Sequence, residues 1–244
     1  MRGLFSLLYG VAAYAIGVAA LLYLIGFLGN LFVPTSVDVG PVSGWPLALT
    51  VDVLLVVLFG LQHSVMARPG FKQWWTRIVP PAVERSTYLL GTAAALACLF
   101  TFWLPMPAPV IWQVSTPLAV GLLWAAFGLG WVLLLASTFL INHFELFGLH
   151  QVYARLTGRP MPQATFKTPL LYRHVRHPIY LGLLLGFWCT PRMTLGHLVF
   201  ALAGSVYILV GIWFEERDLV AQFGDHYRRY REQVGMLLPL RGRT

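Results

Sequence analysis

The chain has 244 residues, of which 58% are hydrophobic and only 11% are charged, and its formal net charge is +8 at pH 7. Soluble globular domains have about 25% charged residues, so this composition excludes an ordinary soluble domain. It predicts an integral membrane protein.

Apolar stretches follow one another along the chain, and several reach the length of about 20 residues that crosses a bilayer. They cover residues 4–33, 47–66, 86–104 and 117–141. A further apolar region, 178–214, is long enough for two crossings but is interrupted at 190–194, which predicts a helical hairpin with one short arm. The first stretch is too long for a signal-peptide core, so it should remain as a membrane helix. We therefore expect an all-α, polytopic membrane helix bundle of about five to six membrane helices.

Basic residues alternate between the loops that connect these stretches. Lys and Arg number four in 67–85, five in 142–177 and six after residue 215, but none lies in 34–46 or 103–116. This positive-inside pattern predicts that both termini and the basic loops face the cytoplasm. The positive charge thus orients the protein, and we expect no nucleic-acid partner.

The chain is expected to form one integral domain over 1–244, because it shows no repeat and no separable soluble segment. Its parts are amino-terminal helices in 1–141, a cytoplasmic loop in 142–177, and a hairpin with a tail in 178–244. The loop has no obvious helical or strand period, but its apolar and aromatic content favours an ordered loop packed against helix ends. Cys98 and Cys189 lie far apart in apolar segments, so we expect packing residues and no metal site.

After the last crossing, the tail predicts an amphipathic helix. Its apolar positions recur at helical spacing, and they are Leu219, Phe223, Tyr227 and Tyr230. Gly224 is expected to break the helix, and Asp225 is expected to cap its second half. Two interpretations stay open: a helix on the membrane surface that anionic lipid attracts, or a flap over a site open to the cytoplasm.

The stretch YRHVRHPIYLG, residues 172–182, places basic side chains immediately before an apolar helix. Pro178 predicts the helix start, because proline has no N–H to leave unpaired in the first turn. Arg176 and His177 flank the positive end of that helix, where free N–H groups and the helix dipole favour an anion. The alternative is that these side chains only contact lipid phosphates.

The predicted hairpin brings a second charged group to the same membrane face. Gly182 and Gly186 form a small-xxx-small pair that predicts close approach to a neighbouring helix, which we expect to be the other arm. That arm ends in Glu215 and Glu216. Basic groups at one end of a site and carboxylates at the other would suit a zwitterionic ligand with a carboxylate, an amine and sugar hydroxyls.

Two longer motifs carry a resemblance to known membrane proteins. The segments LLYRHVRHPIYLG and EERDLVAQFGDHYRRYREQV resemble the carboxy-terminal half of the isoprenylcysteine carboxyl methyltransferase superfamily, whose members share an RHPxY element, an EE pair and an FGxxYxxY tail. Upstream, LFGLQHSVMARPGFKQWW, ERSTYLL and INHFELFGLHQVY resemble more narrowly the bacterial membrane methanethiol S-methyltransferases, and also the NnrU-like membrane proteins.

The resemblance implies a multi-helix fold in a bacterial inner membrane that binds S-adenosylmethionine in a cytoplasmic pocket closed by the tail helix. It implies methyl transfer to a small thiol, most simply methanethiol to dimethyl sulfide. The positions that match the cofactor-binding residues of the superfamily, together with the adjacent Arg176, are Gln151, Lys167 beside Phe166, Tyr172, Arg176, His177, Pro178, Ile179, Tyr180, Glu215 and Glu216.

One position departs from the superfamily pattern. The isoprenylcysteine enzymes carry an arginine four residues before the glutamate, where it meets the substrate carboxylate, and this chain has Gly211 there. A small apolar thiol needs no such arginine, so the glycine favours the thiol. Methylation of a lipid amine or a prenylcysteine remains open, as does a non-catalytic NnrU-like membrane protein or transporter.

Methyl transfer from a sulfonium to sulfur requires no metal, but the thiol must lose its proton because the thiolate is the nucleophile. Glu145 and His150 are the candidate catalytic pair, since they lie on the loop that leads to the cofactor motif. His63 and His143 are candidate substrate contacts at helix ends. The alternative for each is an interhelical hydrogen bond. The expected partners are the thiol and membrane lipids, with no obligate protein partner.

Overall fold

A computed structural model describes residues 2–161 and 166–239, with the side chain of residue 2 left out. The elements in chain order are α1 (Arg2–Gly29), α2 (Trp45–Ala67), α3 (Pro69–Trp75), α4 (Glu84–Phe102), β1 (Val110–Gln113), α5 (Pro117–Ile141), α6 (His143–Leu146), α7 (Leu149–Thr157), α8 (Pro178–Trp188), β2 (Arg192–Thr194), α9 (Leu195–Phe223) and α10 (Asp225–Gln233). The two short strands pair in a two-stranded sheet. The predicted helical membrane fold is therefore confirmed.

Within the part of the chain that the structure describes, four helices, α1, α2, α5 and α9, are long and apolar enough to cross a membrane. The predicted crossing at 86–104 corresponds to α4, which has 19 residues and begins at Glu84. It is less apolar than the other four because Glu84 and Arg85 occupy its first turn. The short arm of the predicted hairpin is α8, with 11 residues against 29 in α9. Of the five to six membrane helices expected, four meet the length and composition of a span among the described residues, and α4 and α8 do not.

The helices group into two compact units. The first contains α1 to α4, α6, α7 and the first turns of α9, and the second contains α5, α8, the rest of α9 and α10. In the first unit, α4 packs against α1 and α2, while α7 packs against α1. Its core includes the rings of Phe27, Phe100 and Trp103, and the Trp103 indole donates to the Val37 carbonyl at 3.1 Å.

The predicted irregular loop at 142–177 contains regular structure that the sequence pattern did not reveal. It forms α6, α7 and one 3₁₀ turn at Leu170–Arg173. Gly148 joins α6 to α7 with a φ of +87°, a conformation that favours glycine. The prediction was wrong here because helices of four and nine residues are too short to be stable alone; packing of α7 against α1 stabilises it instead.

In the second unit, the close helix approach predicted at Gly182 and Gly186 is confirmed, but the predicted neighbour was wrong. Both glycines face α5 and not the other arm of the hairpin. A Cβ on Gly182 would lie 2.9 Å from the backbone nitrogen of Leu134, and one on Gly186 would lie 2.8 Å from the ring of Trp131. The pattern indicates that a helix approaches closely, but any nearby helix can satisfy it.

The tail breaks at Gly224, as predicted, where φ is +57°. The predicted capping by Asp225 was wrong, because Gly224 is the N-cap and α10 begins at Asp225 itself. The Asp225 carboxylate instead pairs with Arg228 at 2.6 Å. An acidic residue in the first turn still interacts favourably with the helix dipole.

Candidate functional site

A cluster of charged side chains joins the start of α8 to the end of α9. Glu216 Oε1 lies 2.9 Å from Arg176 Nε and 3.1 Å from His177 Nε2, and its Oε2 lies 3.2 Å from Arg231 Nε. The Arg176 and Glu216 side chains are each 10% exposed, and that of His177 is 4% exposed. Glu216 therefore does not lie opposite the basic groups, as the sequence had suggested, but is bonded directly to them.

Glu215 has a different environment from its neighbour Glu216. Its side chain is 44% exposed, and its Oε2 accepts a hydrogen bond of 2.8 Å from the Tyr180 hydroxyl. His177 Nδ1 lies 4.0 Å from the same oxygen. Of the two adjacent carboxylates, Glu215 is the one that an incoming ligand can reach. The carboxylate of Glu216 is already bonded to the basic side chains.

The segment before α8 is held by the backbone that follows α10. Val175 and Gly235 form a parallel β-bridge. The Arg176 N–H donates to the Gly235 carbonyl at 2.9 Å, and the His177 N–H donates to the Met236 carbonyl at 3.1 Å. These bonds place His177 as the N-cap residue of α8, with the buried Pro178 and the half-buried Ile179 as the first helical residues.

The Arg176 guanidinium also binds the end of α10. Its Nη1 donates to the carbonyl of Arg231 at 3.0 Å and to that of Val234. The last carbonyls of a helix have no intrahelical donor and carry partial negative charge, so a guanidinium there is stabilising. Arg176 thus links α9, α10 and the start of α8, which is a positioning role beyond the ligand contact that the sequence suggested.

Aromatic side chains fill the space between the tail and the segment before α8. The Tyr230 hydroxyl donates to the Tyr172 carbonyl, and Tyr227 is 2% exposed. The Phe166 ring packs against those of Tyr227 and Tyr230 at centroid distances of 5.9 and 5.5 Å. Lys167, the adjacent cofactor candidate, is exposed.

Burial raises the pKa of the phenols of this cluster above their ordinary value. Burial raises the pKa of Tyr172, and the charges of Glu215 and Tyr230 add to the effect. Burial also raises the pKa of Tyr230 to about 12, although the nearby Arg176 opposes the rise. Both groups therefore act as hydrogen-bond donors at neutral pH, and the Tyr172 hydroxyl donates to the Ser137 carbonyl at 3.4 Å.

A surface depression beside the charged cluster is lined by Arg176, Arg228, Arg231 and Glu232. The Arg228 and Arg231 side chains are 60% and 46% exposed, so their guanidinium groups are accessible. Guanidinium groups bind carboxylates with paired hydrogen bonds. The depression can therefore accept the carboxylate end of a zwitterionic ligand.

The candidates on α6 and α7 lie in the first unit. The Asn142 side chain donates to Glu145 Oε2, and the Gln151 side chain donates to the Glu145 carbonyl at 3.0 Å. Gln151 is buried and its Oε1 has no hydrogen-bond partner among the described residues, whereas His150 is exposed. The structure thus brings Glu145 and Gln151 together and leaves His150 at the surface.

His63 and His143 are both engaged in hydrogen bonds within the first unit. His63 lies on α2, with Nδ1 3.0 Å from the Thr92 hydroxyl and Nε2 2.7 Å from the Tyr88 hydroxyl, both on α4. His143 Nε2 lies 2.8 Å from the Tyr14 hydroxyl. Burial lowers the pKa of His143, which favours the neutral imidazole. These bonds match the alternative of interhelical contacts, and they leave the substrate role a prediction.

Comparison with characterised proteins identifies relatives over nearly the whole chain. A methanethiol S-methyltransferase of Mycobacterium tuberculosis is 52% identical over 239 residues, which cover 98% of each chain. The chain belongs to the methanethiol S-methyltransferase family. Methanethiol S-methyltransferase 1 of Bradyrhizobium diazoefficiens is also 52% identical, over 97% of this chain and 82% of its own.

A nurim homolog of Drosophila pseudoobscura pseudoobscura is more distant, 32% identical over 70% of each chain. No protein-family model and no solved structure matches the chain. Membership of the methanethiol S-methyltransferase family confirms the resemblance that the sequence motifs had indicated.

Arg231 and Tyr230 belong to the charged and aromatic cluster of this family member, although sequence reasoning gave neither a site role. Arg231 pairs with Glu216, and Tyr230 bonds the backbone of Tyr172. A signal for Arg231 was present, since it follows the buried Tyr227 by four residues and so shares its face of α10. What the sequence did not supply was the partner on α9.

Proposed function

We propose that this protein transfers a methyl group from S-adenosylmethionine to methanethiol and so forms dimethyl sulfide. The observation that carries the proposal is the identity of 52% to a methanethiol S-methyltransferase over 98% of both chains. The charged cluster supports it, because the RHPxY element and the glutamate pair lie within hydrogen-bond distance of each other in one unit.

The accessible side chains suit the polar groups of S-adenosylmethionine. Glu215 can accept hydrogen bonds from an ammonium or from ribose hydroxyls, and Arg228 and Arg231 can bind the carboxylate. His177 bonds Glu216 and Tyr180 bonds Glu215 at this site. We propose both as cofactor contacts, together with Tyr172, Pro178, Ile179, Gln151 and Lys167. When bound, the cofactor supplies a methyl group activated by a sulfonium.

Alignment of the thiol with the transferred methyl group is the main task of the chain. A near-attack arrangement can contribute about 7–11 kcal/mol to the lowering of the barrier. The thiol proton must also leave, and we keep Glu145 and His150 as the proposed base pair. His150 is exposed and can return the proton to water. His63 and His143 are kept as proposed substrate contacts.

Two variants test the proposed base pair. Glu145→Gln and His150→Ala should each lower kcat by about 100-fold, the smaller end of the effect of losing a general base, while cofactor binding is retained. Turnover of methanethiol and the Kd of S-adenosylmethionine should be measured on the same preparation. His226→Ala serves as the control, because His226 is another exposed histidine. Normal turnover in both variants would remove the pair from the mechanism.

The proposed reaction and orientation can be tested together with membrane vesicles. Methyl-labelled S-adenosylmethionine and methanethiol are supplied outside, and the volatile labelled product is collected. Inside-out vesicles should form product, because the positive-inside pattern turns the basic loops outward in them. Right-side-out vesicles should form little, since a charged cofactor does not cross the bilayer. The absence of both product and cofactor binding would overturn the proposed function, and equal product from both orientations would overturn the cytoplasmic site.

A further inference from the structure

Asn142 and Glu145 stand three residues apart at the start of α6, a spacing that usually caps a helix. Asn142 is the N-cap residue, and asparagine is favoured there because its side chain can accept a bond from a free N–H group of the first turn. A glutamate three residues later usually bonds back to the N–H of the N-cap residue. The Asn142 side chain, however, makes no such cap bond in the described structure. The pair therefore has the sequence pattern of a capping box without its bonds.

The two side chains bond each other instead. The Asn142 amide donates to Glu145 Oε2 at 2.5 Å, whereas Glu145 Oε1 has no hydrogen-bond partner in the part of the chain that the structure describes. An ionised carboxylate can only accept hydrogen bonds, so the amide nitrogen of Asn142 must face it. Both residues are half-buried. One carboxylate oxygen is thus held, and the other is left to meet a ligand.

The backbone around this pair is also fixed. The Glu145 carbonyl accepts a hydrogen bond of 3.0 Å from the Gln151 side chain. His143, which lies between the two residues of the pair, is buried and has its Nε2 2.8 Å from the Tyr14 hydroxyl of α1. The helix therefore determines where the carboxylate lies, and Asn142 determines which way it points.

The partner of Glu145 differs in charge from the partners of Glu216. Glu216 is bonded to two guanidinium groups, those of Arg176 and Arg231. Cationic partners favour the ionised form of a carboxylate, so Glu216 is a poor proton acceptor. The Asn142 amide is neutral. It can orient the carboxylate of Glu145 and leave it able to accept a proton.

We propose that Asn142 is a positioning residue for methyl transfer, and that its amide holds Glu145 so that Oε1 faces the thiol. This inference rests on the proposed function, in which Glu145 belongs to the base pair. The thiol proton passes to Glu145 as the thiol sulfur bonds the transferred methyl group, and the electron pair of the broken bond stays on the leaving sulfur. Such a role explains why Asn142 bonds a side chain and not the end of its own helix.

The test exchanges the donor and the acceptor of this pair in the full-length protein in membranes. Asn142→Asp keeps a good N-cap residue but places a second acceptor against Glu145. Its kcat for methanethiol should fall about tenfold, the usual effect of losing a hydrogen bond to a charged group. Its midpoint of thermal unfolding should fall as well, because two carboxylates then face each other. Glu145→Gln should lower kcat by about 100-fold and keep the midpoint, since its amide oxygen still accepts the bond.

The variant that carries both substitutions separates the two roles of the pair. Its hydrogen bond is restored with the direction reversed, because the glutamine can donate to the new aspartate. The midpoint of thermal unfolding should therefore return to that of the unmodified protein. Its kcat should stay at the level of Glu145→Gln, because the base is still absent from position 145.

Asn30→Asp is the matched control. The Asn30 side chain also donates to a carboxylate, Oδ2 of Asp38, at 2.9 Å. Asn30 follows the last residue of α1, whereas α7 packs near the first turn of that helix, where a Cβ on Gly3 would lie 3.2 Å from the Cα of Leu156. The control should lower the unfolding midpoint and leave kcat unchanged.

Three results would overturn the inference: an unchanged kcat in Asn142→Asp, a further fall of kcat when this change is added to Glu145→Gln, or normal turnover in the variant with both changes. Normal turnover in Glu145→Gln alone would remove the base and this inference with it, while the unmodified protein still methylates thiol. An unmodified protein that binds S-adenosylmethionine but methylates no thiol would overturn the proposed function itself, so the two failures are distinguishable.

Discussion

Replacing Glu216 with glutamine is expected to lower the free energy of unfolding by about 3–5 kcal/mol, the usual cost of breaking a buried ion pair. The variant keeps the shape of the side chain but removes the charge that compensates Arg176, whose side chain is 10% exposed. His177 and Arg231 lose the same partner. Because these residues join α8, α9 and α10, cofactor binding should be lost as well. Denaturant unfolding in detergent micelles and cofactor titration would measure both effects.

Glu215→Gln is the matched control for that experiment. Glu215 is the adjacent residue on the same helix, but its side chain is 44% exposed and its charge is partly solvated. The free energy of unfolding should change by only about 0.5 kcal/mol, as for most surface substitutions, while the affinity for S-adenosylmethionine falls. Equal losses of stability in the two variants would contradict the division between a structural Glu216 and a ligand-facing Glu215.

The second large effect is expected for Gly182→Ala. The added Cβ would lie 2.9 Å from the backbone nitrogen of Leu134 on α5, and a backbone atom cannot move aside as the end of a side chain can. Overpacking of this kind costs about 1–3 kcal/mol or more, so the midpoint of thermal unfolding should fall. The shift of α8 would also displace His177 at its start and weaken cofactor binding.

Gly121→Ala supplies the comparison for this variant. Nothing lies within 4 Å of a Cβ at Gly121, and alanine favours the helix over glycine by about 1 kcal/mol. The unfolding midpoint should therefore stay the same or rise. If both substitutions lower the midpoint by the same amount, the loss comes from replacing a glycine in a membrane helix and not from the contact between α5 and α8.

Much of the fold follows from local properties of the sequence. Runs of apolar residues gave the positions of α1, α2, α4 and α5, because a bilayer imposes a minimum helix length whatever the neighbours are. Pro178 marked the start of α8 and Gly224 the break before α10, since each acts through its own backbone chemistry. The predictions were wrong where contacts between elements provide the stability. The helix α7, which packs on α1, was not predicted, and the neighbour of Gly182 is α5 and not the other arm of the hairpin.

The candidate site shows the same division between what local sequence predicts and what tertiary contacts decide. Through its motifs and the resemblance they carry, the sequence predicted that the RHPxY element and the glutamate pair belong to one site. It also identified the protein as a membrane methyltransferase of this family. Only the tertiary structure decided that Glu216 is enclosed by Arg176, His177 and Arg231 while Glu215 stays open. The physical reason is that charge pairing and burial depend on distances between residues up to 40 positions apart, which no local pattern encodes.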